Sequence, residues 1–94
     1  MDQEMITIED FCQYYRAEIT FIRSLEDSGL IAFIQKDDID YIGFDEMPRL
    51  EKFVRMHYDL DINVEGLETI DHLLQKIEEL QREVLQFRTH HDEL

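Results

Sequence analysis

Ile70, Leu73, Ile77, Leu80, Val84 and Phe87 are spaced 3, 4, 3, 4 and 3 residues apart, an a/d heptad pattern flanked by charged residues and Gln. This run constrains the fold more than any other feature of the chain. An apolar stripe at that period on a helix needs a facing surface, and a partner helix supplies it by knobs-into-holes packing. Leu67 and Leu74 lie slightly off the seam and are placed to pack on the helix's own domain at its N-terminal end. Beyond about Leu80 a domain this small has little left to cover the stripe. The expectation is a homodimer, or another helix-pairing partner, with Ile70 to Phe87 as the dimerisation residues. The seam spans under three heptads, and the tail after it, "THHDEL", is expected to fray.

The 94 residues suit one globular domain with a helical appendage. The expected division is a compact unit over residues 1–66 and a dimerisation helix and tail over residues 67–94. Thr7 begins "TIEDFCQYY", where Ile8, Phe11, Cys12 and Tyr15 fall on one helical face. A second helix begins near Glu18, turns Ile19, Ile22 and Leu25 inward, and is closed by Gly29 in the left-handed conformation. "LIAFIQKDDIDYIGF" then reads as a hairpin. Ile31 and Phe33 alternate on one arm, Ile39 and Tyr41 on the other, and Lys36 to Asp38 supply the turn. Asp45 is placed to cap a third helix, with Pro48 in its first turn and Met47, Leu50, Phe53, Val54 and His57 on its buried side. Asn63 would cap the last helix. The order is helix, helix, two-stranded wing, helix, long helix: a mainly α winged helix-turn-helix.

Charge argues against what that architecture usually does. Nine Lys and Arg stand against 23 Asp and Glu, a formal net charge of −14. Acid is spread through both halves, so the surface repels phosphate backbones and favours basic partners. The second helix, which would read DNA, has Arg23 as its only basic residue among Glu18, Glu26 and Asp27. The wing tip reads "QKDDID". Arg49, Lys52 and Arg55 form a stripe on the third helix, interspersed with Glu46, Glu51 and Asp59.

Other chemistries have less support. The serines, Ser24 and Ser28, lie on the second helix, and Gly29, Gly43 and Gly66 are isolated, so no phosphate loop or nucleophile arrangement stands out and no enzyme is expected. His57 and His72 lie on different elements, while His90 and His91 are adjacent and point apart on a helix, so neither a metal nor a cofactor is expected. Cys12 is the single cysteine and sits on an apolar stripe, the place of a buried structural thiol. "LIAFI" is far short of a membrane span, and the acidic N-terminus has no leader core. A cytoplasmic protein is expected. What remains is a protein-binding module, with acids setting orientation and exposed aromatics such as Tyr14 or Tyr58 as anchors.

"ITIEDFCQYY", "FIRSLEDSGLI" and "YIGFDEMPRLEKFVRMHYDLDINVEGLETIDHLLQKIEELQREV" together resemble the MerR-like winged-helix domains. They look most like the divergent branch of CbpM-type chaperone modulators. The most telling segment is "RMHYDLDINVEGLETIDHLLQKI", where a helix carrying Arg55 enters a short turn and the final helix opens with "VEG". MerR-type regulators tend to have a basic residue at the position of Thr20, an Arg at Arg23, a tyrosine near Ser24 and an Arg at the position of Ile42. Most of those positions here have lost DNA-contacting character. The resemblance implies binding to the J-domain of a CbpA- or DnaJ-like co-chaperone and restraint of its action on Hsp70. Exposure and charge nominate Glu26, Asp27, Asp37, Asp38 and Asp40 as partner-binding residues. The alternative is a MerR-like DNA-binding transcriptional regulator, for which Arg23, Arg49 and Arg55 would be the contacts. A third class, a dimerisation adaptor for an unrelated basic protein, stays open.

Overall fold

The structure, a computed structural model, describes the backbone of residues 4–92 and the side chains of residues 4–89. It is a winged helix-turn-helix: β1 (Met5–Thr7), α1 (Ile8–Tyr15), α2 (Ile19–Asp27), β2 (Ile34–Lys36), β3 (Ile39–Gly43), a 3-10 turn (Phe44–Glu46), α3 (Met47–Leu60) and α4 (Val64–Asp92).

Local signals set most of the helix boundaries. The Thr7 side chain accepts from the Asp10 amide at 3.1 Å, capping α1. After α2, Gly29 adopts φ 81°, its amide donates to the Glu26 carbonyl at 2.9 Å, and the Leu30 amide donates to the Leu25 carbonyl at 2.9 Å. These two bonds make a Schellman motif, and Leu25 and Leu30, the residues at its two ends, are both buried in the core. Asn63 accepts from the Gly66 amide at 2.8 Å and caps α4. The N-cap position of α3 is Glu46, the last residue of the 3-10 turn that contains Asp45, rather than Asp45 itself.

The sheet departs from the sequence expectation in two ways. It has three strands, in the order β1-β3-β2, because Met5–Thr7 pairs antiparallel with β3 (Met5 opposite Gly43, Thr7 opposite Tyr41). Three residues carry too little alternation to announce a strand; their partner lies far along the chain. The first wing arm also starts later than expected, at Ile34. Leu30 and Ile31 are irregular and buried, spent on the core. The turn itself is a two-residue loop with Asp37 and Asp38 at φ 54° and 63°, the type I′ geometry that suits a twisted hairpin.

One core joins these elements. Phe11, Ile22, Leu25, Ile42, Leu50, Phe53 and Leu67 are its largest fully buried side chains. On α2 the inward face is Phe21, Ile22 and Leu25; Ile19, expected inside, is exposed because it opens the helix at the rim. Cys12 is a buried free thiol, and burial pushes its pKa up. α4 continues through Asp92, past the tail expected to fray from Thr89; that expectation for Glu93 and Leu94 lies outside the described residues.

Leu67 is the fully buried residue by which α4 enters the core. Leu67→Ala is expected to lower the unfolding free energy by about 3 kcal/mol, and Thr7→Ala by about 1 kcal/mol. Urea unfolding at a fixed protein concentration measures both.

Candidate protein-interaction surface

α2 and the wing present the face that reads DNA in a helix-turn-helix protein. Here its one helical cation is neutralised. Arg23 Nη1 donates to Asp40 Oδ2 at 3.3 Å, linking α2 to β3 across the face. Asp37 and Asp38 stand exposed at the wing tip. Asp is among the few non-glycine residues that tolerate the left-handed backbone of this turn.

The five nominated acids fall into separate places. Asp38 and Asp40 line a cleft of ≈ 340 Å³ between the start of α1, α2 and the wing, which Glu9, Ile19, Arg23 and Ile39 also line. Asp37 adjoins it at the turn. Asp27 lines a different and more open depression with Ser24, His57, Asn63, Glu65 and Glu68, where α2 meets the start of α4. Glu26 Oε2 accepts from the Phe33 amide at 3.2 Å. Glu46 Oε2 accepts from the Ala32 amide at 3.3 Å. Both carboxylates thereby hold the irregular segment between α2 and β2.

The three arginines nominated for DNA also differ. Arg23 is ion-paired as described. Arg49 Nε donates to the Leu30 carbonyl at 2.8 Å, and its Nη2 donates to Asp71 Oδ2 at 3.0 Å. Asp71 is buried and also accepts from Gln75 Nε2 at 3.0 Å. The Arg49 guanidinium further lies 5.3 Å from the Phe53 ring centroid. It ties α3, the exit of α2 and α4 together, which reduces its availability to phosphate. Arg55 is exposed on α3. Asp71 was not legible as the partner of Arg49, because 22 residues separate them.

Of the two candidate aromatic anchors, Tyr14 is 79% exposed. Tyr58 is only partly available. Its hydroxyl accepts from the Glu18 amide at 2.8 Å, and its ring meets Phe21 and His57 edge-on. His57 stacks on Phe21 with centroids 3.9 Å apart, and its Nδ1 bonds to the Ile62 carbonyl at 2.8 Å, which makes Nδ1 the protonated nitrogen. Burial and the neighbouring Glu51 carboxylate push the Tyr15 hydroxyl above its ordinary pKa.

On α4 the seam begins half-buried at Ile70 and is then exposed. Leu73, Ile77, Leu80, Val84 and Phe87 all present apolar surface, 58% at Leu80, and Leu85 adds to it from beside the seam. Among the described residues no group of three or more His, Cys, Asp and Glu is arranged to hold a metal ion, and no helix is long and apolar enough to cross a membrane.

A helix-turn-helix, a wing and a long C-terminal helix with an exposed heptad seam define a winged helix-turn-helix class. Residues 6–89 match the family model of the MerR HTH family regulatory protein, and the chain belongs to that family. No curated protein and no solved structure matches it.

Arg49→Met would leave the Leu30 carbonyl and the buried Asp71 carboxylate without their cation. It is expected to cost about 2 kcal/mol of stability, while Arg55→Met at an exposed position stays within about 0.5 kcal/mol of the parent. Denaturant unfolding of the two variants checks the contrast.

Proposed function

We propose that this protein is a non-enzymatic chaperone modulator of the CbpM type. It acts in the cytoplasm by binding the J-domain of a CbpA- or DnaJ-like co-chaperone, which restrains that co-chaperone's stimulation of Hsp70. The observation that carries the reading is the Arg23–Asp40 ion pair beside an Asp37–Asp38 wing tip. On the face formed by α2 and the wing, the one helical cation among the described residues is ion-paired, and two acids stand exposed at the wing tip. Non-specific and specific DNA binding both draw on Lys and Arg contacts to phosphate. A basic helix, such as a J-domain offers to Hsp70, is attracted to the same face. The mechanism is occlusion: a modulator covering that helix competes with Hsp70 for it.

The protein acts as a homodimer in this reading. Pairing through Leu73, Ile77, Leu80 and Val84 would bury apolar side chains that one chain leaves exposed. The family match itself supports a second reading, a DNA-binding regulator, in which exposed Arg55 would contact phosphate.

Calorimetric titration of the full chain into an isolated J-domain of the host's CbpA-like co-chaperone is expected to give a dissociation constant of about micromolar or tighter. The affinity should fall as salt rises, and Hsp70 should displace the protein. Simultaneous binding of Hsp70 and this protein to one J-domain would sink the occlusion mechanism. Steep, salt-dependent binding to a DNA duplex that is lost on changing Arg55 would favour the regulator.

Sedimentation equilibrium is expected to show a dimer. Leu80→Asp should shift it to monomer, because a charge placed in a packed seam has to be desolvated.

A further inference from the structure

We propose that the cleft between the start of α1, α2 and the wing tip is a docking groove for an amphipathic helix bearing Lys or Arg. The stems of the basic side chains lie on Ile19 and Ile39, and their charged heads reach Glu9 and Asp38. The inference rests on the modulator reading and adds to it the surface used and the chemistry recognised.

Two independent features coincide in this cleft. The first is apolar surface. Ile19 is 40% exposed and Ile39 47% exposed, and both line the same ≈ 340 Å³ space. Ile19 opens α2 and Ile39 opens β3 beside the wing turn, so the two come from different elements and meet only through the fold. The second feature is charge. Glu9, Asp38 and Asp40 face Arg23, and Arg23 is already committed to Asp40. Glu9 and Asp38 have no cation partner among the described residues.

That pairing of features selects one ligand chemistry. A Lys or Arg side chain has an aliphatic stem that buries on apolar surface while its head stays hydrated near carboxylates. Two such side chains at i and i+4 of a helix project from one face and enter a cleft together. In this arrangement the partner's side chains enter the cleft while its backbone lies on the rim formed by α2 and the wing. The same charges repel a phosphate backbone or an acidic peptide. The helix-turn-helix frame thus keeps its reading face and changes what fits there.

The test is amide chemical-shift mapping on the full chain with two probes, the isolated J-domain and a synthetic amphipathic helical peptide carrying Lys and Leu. Three paired variants accompany it: Ile19→Gln with Ile39→Thr, Glu9→Gln with Asp38→Asn, and Asp59→Asn with Asp61→Asn as an equal charge change elsewhere. Both probes should shift the amides of Ile19, Arg23, Asp38 and Ile39. Each of the first two pairs should weaken J-domain binding roughly tenfold, and the control pair should leave it unchanged. All substituted side chains are exposed, and circular dichroism verifies that each variant folds. If the J-domain binds but the groove variants bind as the parent does, the groove proposal is overturned and the modulator reading stands. If only the peptide binds, and does so at the groove, the groove stands and the J-domain partner falls. If neither probe binds, both are overturned.

Discussion

The packing of Phe11, Ile22, Leu25, Ile42, Leu50, Phe53 and Leu67 into one core is the constraint on which the rest of this molecule depends. Each helix contributes to it, and β3 contributes Ile42. A chain of this size has little apolar surface to spare, so every element must enter the same small core. The core fixes how α2 sits against the wing, and Leu67 fixes where α4 leaves. The outer faces are then free to carry whatever charge function requires. A fold shared with DNA readers can therefore present acids with no change to its interior.

Polar links refine that frame at its weak points. Arg49 reaches the Leu30 carbonyl and Asp71 at once, so the irregular segment after α2 and the first turns of α4 are held by one side chain. Glu26 and Glu46 hold amides of the same segment. These groups have a structural use that composition does not disclose, and they sharpen the electrostatic picture. Of the acids lining the cleft beside the wing, Glu9 and Asp38 have no cation partner among the described residues, and Asp37 stands exposed next to them. Of the arginines, Arg55 remains the exposed one on α3.

The surface divides into two candidate uses. The reading face, with its ion-paired Arg23 and acidic wing tip, is the one proposed for a basic partner. The α4 seam suits a second helix, because its apolar residues at Leu73, Ile77, Leu80 and Val84 lie in water on a single chain. Among the described residues Leu67 is the last fully buried apolar residue of α4, and the seam runs on beyond it.

Much of this was legible along the chain. The heptad spacing, the Thr7 and Asn63 caps and Gly29 after "DS" are local patterns, read from neighbours within one or two turns. They located the helices and the winged helix-turn-helix order, because short-range hydrogen bonds and apolar periodicity act between residues close in sequence. What the tertiary structure alone decided involves residues far apart. β1 exists only because β3 lies beside it. Asp40 reaches Arg23, Asp71 reaches Arg49, and Ile19 and Ile39 meet in one cleft. Periodicity also turned Ile19 inward, but its place at the open end of α2 turns it out. Such contacts depend on how finished elements pack, and a one-dimensional pattern of residue types carries no record of that distance.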